Sequence, residues 1–458
     1  MKTILIVGAG FSGTMTAIQL LQQAAPASLK ILLVERTGNF GRGLAYGAAG
    51  TEHMLNVPEG NMSAFPDQPG HFLQFCQTLH PRDTPSSFVA RRQYGKYLAQ
   101  LLAQTAGSSN GALTLLNGEV ASMTPAAESM TVTLADGQQF EVEQVVLAAG
   151  NAAPANPRLP SGASGSDFYA STRYVQNPWS ASALAPLDSD LPVLLIGTGL
   201  TTIDLVWSLM QQGASRLIAL SRHGLLPQPH RAHRVGHELR PLPPMLGPES
   251  GSLLQKFSRL HRHLRAEAAL GEDWRDIIAA LRKDTSAIWQ TMTPAEQRQF
   301  LRHLRPYWDA HRHRVAPEPY AGFMQGVESG RLQLLAGRIQ GFDETASGVG
   351  VRYRPRGKDD VQSVEVARVI NCSGPATSLA ESHSPLLQQL QSSGLIQSDP
   401  HRLGIATDSR FATINRDGQA NPRLHYIGPG LRARFWEGTA VPELRQFAQQ
   451  LAGILLSS

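Results

Sequence analysis

Short runs of uninterrupted apolar residues alternate along this chain with stretches where apolar residues recur every three or four positions. Ile4 to Val7 is the first such run and reads as a buried strand. Thr14 to Gln23 has helical spacing, and Ile31 to Val34 is a second buried strand. Phe88 to Leu102 predicts a helix with Tyr94, Tyr97, Leu98 and Leu101 on one face. Short strands are expected at residues 113–116, 119–124, 131–134 and 139–142, with Ala135-Asp136-Gly137 as the hairpin turn between the last two. Gln144 to Gly150 is a further buried strand ending in small residues. Glycine-rich Gly38 to Gly50 and proline-broken His53 to Asp67 read as loops.

The pattern then repeats. Pro192 to Asp204 is again an apolar strand, a glycine turn and a helix (Thr201 to Gln212), followed by a strand from Arg216 to Leu220. Strands are expected at residues 331–335, 337–342, 350–353 and 363–367, leading into Arg368 to Gly374, the counterpart of Gln144 to Gly150. Between Gly224 and Glu318 lie a proline-rich loop (Pro227 to Pro248) and helical stretches at 252–270, 273–292 and 294–311. Thr293 and Pro294 serve as N-cap and first residue of the last stretch. The chain closes with a strand, Arg423 to Ile427, the turn Gly428-Pro429-Gly430 and a helix from Ala440 to Leu456.

The fold class that follows is α/β: two Rossmann-like units, each with a small β-meander, and a helical insertion in the second at about 225–318. The first unit is expected to be discontinuous, from residues 1–165 and 375–458, and the second to span 166–374.

The two glycine turns carry the chemistry. Gly8, Gly10 and Gly13 have the spacing of a dinucleotide fingerprint, with a strand before and a helix after. The first glycine permits the turn, the second admits a pyrophosphate, and the third lets the helix pack on the strand. Phe11 and Ser12 would offer backbone N–H groups to the phosphates. Glu35 follows Gly13 by 22 residues, where an acid binds a ribose hydroxyl, with Arg36 beside it. In the second copy Gly197 and Gly199 keep the spacing, Thr202 takes the third position, and Leu200 and Thr201 start the helix. There the next strand ends in Ser221-Arg222-His223 instead of an acid. An arginine accommodates the 2′-phosphate that an acid would repel, so the first turn suits FAD and the second NADPH in preference to NADH.

Composition changes this picture little. The 458 residues are 42% hydrophobic and 17% charged, ordinary for a globular chain, and no apolar run is long enough for a membrane span. The fingerprint glycines interrupt the apolar start, which argues against a signal peptide. Cys76 and Cys372 are far apart with no C-x-x-C, so neither a redox dithiol nor a zinc site is expected, and a cytoplasmic setting is the default. The formal net charge is +5, mostly arginine. The insertion holds His230, His233, His237, His261, His263, His303, His311 and His313. His-x-His alone is thin evidence for a metal, and none is expected. A basic patch there would suit a carboxylate- or phosphate-bearing substrate. Aromatic residues are not interleaved with the basic ones, which ranks nucleic-acid binding last.

The arrangement resembles the two-dinucleotide-binding-domain flavoproteins in Gly8-Ala9-Gly10-Phe11-Ser12-Gly13, Ala149-Gly150, Gly197-Thr198-Gly199 and Gly428-Pro429-Gly430. It is more closely similar to a bacterial FAD/NAD(P)-binding protein family with motifs like Gly43-Leu44-Ala45-Tyr46-Gly47, Leu55-Asn56-Val57-Pro58, Arg91-Arg92-Gln93-Tyr94-Gly95, Ser221-Arg222-His223-Gly224 and Trp436-Glu437. The resemblance implies cofactor contacts at Gly43, Asn56, Ala149, Gly150, Gly428, Trp436 and Val441, and a last helix aimed at the pyrimidine end of the flavin. Met62-Ser63 is a further candidate for the flavin's other face. Pro429 stands where relatives often have an aspartate, so that contact must come from elsewhere. Some relatives are N-hydroxylating or other flavin-dependent monooxygenases. The resemblance thus implies an NAD(P)H-dependent monooxygenase acting on a small substrate, with a plain oxidoreductase as the alternative. The F-x-G-x-x-x-H signature of Baeyer–Villiger and flavin-containing monooxygenases is not matched by Phe168 to Tyr174. No acid–base residue and no oligomeric state follow from the sequence.

Overall fold

A computed structural model of the chain describes residues 1–48, 50, 52–161, 164–187, 189–231 and 251–457. Strand β1 (Lys2–Val7) runs into α1 (Phe11–Gln23) and returns through β2 (Leu29–Glu35). The glycine-rich stretch expected as loop holds a short helix, α2 (Gly43–Gly47), too brief to leave a periodic signal. Two helices follow, α3 (His71–Gln77) and α4 (Arg91–Ser108), then β3 (Leu113–Asn117). Strands β4 (Val120–Pro125), β5 (Met130–Leu134) and β6 (Gln139–Val142) form an antiparallel meander, and β7 (Gln144–Leu147) re-enters the main sheet.

The second sheet is built from β8 (Tyr174–Val175), β9 (Val193–Ile196), α5 (Leu200–Gln211) and β10 (Leu217–Ser221). The insertion comprises α6 (Leu253–Ala269), α7 (Trp274–Leu281), α8 (Thr285–Thr291), α9 (Pro294–Gln299), a π-turn (Phe300–Leu304) and α10 (Arg305–Arg312). The single helix expected over 273–292 is therefore two. Helix α11 (Pro317–Glu328), begun by Pro317, returns the chain to the sheet. The two strands expected at 331–342 are one long strand, β11 (Leu332–Glu344), with a bulge between Ile339 and Gly341. It continues into β12 (Val349–Pro355), β13 (Gln362–Val366) and β14 (Arg368–Asn371). The chain then crosses back through α12 (Pro385–Ser392), β15 (Ala412–Ile414), β16 (Ala420–Tyr426) and α13 (Val441–Ser457).

The first sheet has the order β15-β16-β7-β1-β2-β3, and the second β13-β12-β11-β10-β9-β14-β8. Strands β16, β7, β1, β2 and β3 are parallel, as are β11, β10, β9, β14 and β8. Both faces of each are covered, which is why these strands read as unbroken apolar runs. In the second sheet, Val193, Leu195, Leu217 and Ala219 face α5 and α11. Their neighbours Leu194, Ile196, Ile218 and Leu220 face the Phe168–Phe342–Tyr353 cluster on the other side. Helix α13 packs along α1, so the end of the chain belongs to the core of the first sheet.

Candidate dinucleotide sites

At the carboxyl edge of the first sheet, Val7 registers with Val34 and with Leu147, and Leu147 with Tyr426. The segments that follow these four residues are Gly8–Gly13, Glu35, Ala149–Gly150 and Gly428. The fold thus lines up along one edge residues that are hundreds of positions apart in sequence, where open parallel sheets take their ligands. Gly8 has φ +97, and a Cβ there would lie 2.5 Å from Ala148 O. A Cβ on Gly13 would lie 1.9 Å from Gly8 O, so the third glycine is required by backbone contact. Gly43 (φ +56) faces Gly10, where its own Cβ would come within 2.9 Å of Gly10 Cα.

Helix α1 starts at Phe11 with no side-chain cap and no acid in its first turn. Its leading N–H groups therefore face the edge, as an anionic ligand requires. Glu35 is held there: Ala9 N–H donates to Oε2 at 3.1 Å, and Thr37 N–H and Oγ1–H donate to Oε1 at 3.1 and 2.9 Å. Arg36 is exposed, with Glu119 3.8 Å away. Gly150 (φ +72) opens into free space, whereas Gly428 (φ +149) is buried against Tyr426. Gly430 N–H donates to the Tyr426 hydroxyl at 2.9 Å. Val441, 5% exposed, begins α13. Ser63 spends its hydroxyl internally, donating to Gln68 O at 2.6 Å, so it is not free for a ligand.

The second turn repeats the plan with one change. Gly197 has φ +117, and its Cβ would lie 2.6 Å from Cys372 O. Thr202 at the third position is accommodated: its Oγ1 donates to Gly197 O at 2.9 Å. Helix α5, starting at Leu200 and Thr201, also has no side-chain cap or first-turn acid. Ser221 Oγ accepts from Thr198 Oγ1 at 2.9 Å and from Gly224 N–H at 3.0 Å, which pins the loop carrying Arg222. That loop borders a cleft of about 580 Å³ lined by Arg222, Arg302, Arg338, Arg354, Arg356 and Lys358, with His223 and His303 and no carboxylate. The arginines come from three places: the loop after β10, the insertion's π-turn and the β11–β12 meander. Burial and then Arg222 lower His223, so it does not add a further fixed charge at neutral pH.

The contacts that join these parts have no local sequence signal. Arg91 and Asp204 form an ion pair at 2.8 Å with 15% and 8% of their side chains exposed. Burial raises the Asp204 carboxyl, and Arg91 opposes the shift. Beside them, Ser208 Oγ–H donates to Glu52 Oε1 at 2.6 Å and lies 2.8 Å from His53 Nε2. Helix α5 is therefore bolted to the loop leading to Asn56. The insertion grips the last segment of the chain: Arg282 donates to both Glu443 oxygens at 2.5 and 2.6 Å, and Trp308 Nε1–H donates to Glu437 at 2.7 Å. Trp436, expected at the cofactor, is 3% exposed and stacked on Trp289 at 4.9 Å, with Phe300 at its edge. Its ring works here as packing between insertion and tail.

Among the described residues, the insertion's histidines do not form a cluster with one another. His311 points to Trp274, while His313 lies near Asp309 and Glu437, whose ligand atoms fall within 4.8 Å of one another. Glu437 is also paired with Arg312 at 3.3 Å. His233 and His237 lie outside the described residues.

Residues 5–152 match a family described as FAD-NAD(P)-binding. No curated protein matches the sequence. Among solved structures, an ornithine N-hydroxylase of Kutzneria sp. 744, with reduced FAD, NADP+ and L-ornithine, superimposes with TM-score 0.63 at 13% identity over 98% of this chain and 97% of that one. An L-lysine 6-monooxygenase of Pseudomonas syringae gives 0.63 at 16% identity over 100% and 98%. A thioredoxin reductase of T. acidophilum gives 0.52 at 11% identity over 100% and 99%. Residues 5–152 thus resemble an FAD-NAD(P)-binding domain, and the whole chain shares the fold of these three enzymes.

Proposed function

We propose that this protein is an NADPH-dependent flavin monooxygenase acting on a small, anionic substrate, with FAD along the first sheet edge and NADPH along the second. The observation that carries the cofactor assignment is the pair of uncapped, glycine-initiated helices, one followed by Glu35 and the other by Arg222 in a cleft lined by cations and no acid. Glu35 would accept from the ribose of FAD, and the leading N–H groups of α1 would hold its pyrophosphate. Arg222, backed by Arg302 and Arg338, would hold the 2′-phosphate that distinguishes NADPH from NADH. Bound flavin supplies hydride acceptance and reaction with oxygen. The chain's part is to orient both cofactors and exclude water: the Arg91–Asp204 pair fixes α5 against the flavin-side loop, and the insertion covers the tail segment.

Support for oxygenation over plain reduction comes from the higher fold similarity to the ornithine N-hydroxylase and the L-lysine 6-monooxygenase than to the thioredoxin reductase. Cys76 and Cys372 are both buried and free, one in the core of each sheet, so they offer no paired dithiol for disulfide reduction. The test is turnover of candidate small acids and amines under isotopically labelled dioxygen, read by mass spectrometry. One labelled oxygen in a product is the expected result. Anaerobic turnover with an artificial acceptor, and no labelled product from any candidate, would favour the plain oxidoreductase.

A further inference from the structure

The insertion returns to the second sheet through a strand-like contact in which Pro229 bridges to Val315 and His230 N–H donates to Val315 O at 2.9 Å. This contact sets His230 and Arg314 side by side. His230 Nε2 lies 3.0 Å from Asn56 O, and its ring packs on Phe88 at 5.1 Å. Arg314 is thereby placed next to the loop expected at the flavin. Its Nε is buried with no hydrogen-bond acceptor among the described residues, and so is Nη2 of the neighbouring Arg312.

The nearby carboxylates are already engaged. Asp273 pairs with Arg231 at 3.0 Å and with Arg275 at 3.2 Å, and Asp276 pairs with Arg231. Glu437 pairs with Arg312 at 3.3 Å and accepts from Trp308. Arg314 forms no ion pair among the described residues, and its guanidinium carbon lies 6.0 Å from the Trp274 ring. Burial, followed by the charges of Arg312 and Arg275, pulls Arg314 down to about 10, and the same surroundings hold His230 down at about 4. Half-buried guanidiniums whose buried donors find no acceptor among the described residues, set among other cations, are an arrangement that a protein keeps when an anion completes it.

We propose that Arg314, with Nη2 of Arg312 beside it, seats an oxyanion of the substrate, a carboxylate or a phosphate, against the flavin-side loop. The guanidinium fork matches either group with two parallel hydrogen bonds. This assignment rests on the flavoenzyme reading but is separate from the cationic cleft at Arg222, which lies at the outer end of the meander and takes the cofactor.

The experiment titrates oxidised, FAD-loaded protein with phosphate and with acetate at constant ionic strength, without NADPH, following the flavin difference spectrum and the melting temperature. Because no turnover is involved, its outcome is independent of whether oxygenation occurs. A saturable change with one or both anions is expected, and which anion produces it distinguishes a phosphate seat from a carboxylate seat. Arg314→Met should weaken the flavin spectral response at least tenfold, whereas Arg416→Ala, an exposed arginine in the turn between β15 and β16, should leave it unchanged. If Arg314→Met does not retain FAD, Arg314→Gln keeps the shape without the charge and serves the same comparison. No saturable change with either anion, or equal binding in the Arg314 variant, overturns the assignment.

Discussion

Replacing Gly13 with alanine adds one methyl group at the closest backbone contact in the first turn. The new Cβ would lie 1.9 Å from Gly8 O and 3.2 Å from Ala148 Cβ. Reaching an ordinary contact of 3.4 Å requires α1 to withdraw from β1 by about 1.5 Å. Neither partner is a flexible side-chain end, and α1 is pinned on its other side by α13. Overpacking of this kind costs about 1–3 kcal/mol, and this site should lie at the upper end because backbone must move. The displacement also moves the leading N–H groups away from the pyrophosphate. Purified Gly13→Ala protein should therefore carry little FAD and melt about 5 °C or more below the parent. Thr202→Ala is the internal control: the second helix already stands off far enough for a side chain, and only the 2.9 Å bond to Gly197 O is lost, worth about 1 kcal/mol. Stoichiometric FAD and an unchanged melting temperature in Gly13→Ala would refute the reasoning.

Other consequences follow from the same geometry. Arg222→Gln should weaken NADPH binding about tenfold or more, the worth of a charge-assisted phosphate contact, and leave NADH nearly unaffected; equal losses for both would argue against the cleft as the 2′-phosphate site. Arg91→Met should cost about 3 kcal/mol by leaving Asp204 buried and unpaired, and the double variant with Asp204→Leu should recover part of it in urea unfolding. Glu59 is fully buried, and burial followed by the Asp83 carboxylate raises it from 4.5 to about 7. The folded state keeps a proton that the unfolded chain releases, so this group's contribution, present below pH 4.5, is lost as pH rises through about 7. Glu59→Gln should match the parent at low pH and be more stable by roughly 2–3 kcal/mol above neutrality. Stabilisation that does not change with pH would contradict this.

Much of the fold was legible because parallel strands covered on both faces leave unbroken apolar runs, and because turns with positive φ favour glycine. Gly8 and Gly197 announce themselves for that reason, and Gly13 because the Gly8 carbonyl leaves no room for a Cβ. What the sequence hid has physical causes too. Helix α2 is five residues long, below the length at which periodicity can register, and α3 spans only seven. The two strands expected at 331–342 are one because β11 passes at Ala336–Gly337 from pairing with β10 to pairing with β12, a change of partner that is tertiary. Trp436 stood out as an aromatic in a family-like motif, but its stacking partners Trp289 and Phe300 lie more than a hundred residues earlier. The pairs Arg91–Asp204 and Arg282–Glu443 are likewise fixed only once the chain crosses between its two sheets. Arg222 was legible as the residue replacing an acid after a glycine turn. Its companions Arg302, Arg338 and Arg354 were not, because three separate elements bring them together.

The central claim is that one chain holds FAD at the first edge and receives hydride from NADPH at the second. Mixing the FAD-loaded protein anaerobically with NADPH, and separately with NADH, tests it most directly, with the flavin's visible absorbance as the readout. The account predicts bleaching by both, faster and at lower concentration with NADPH, and return of the absorbance on admitting oxygen. Persistent flavin absorbance with both nucleotides, or a clear preference for NADH, would contradict it.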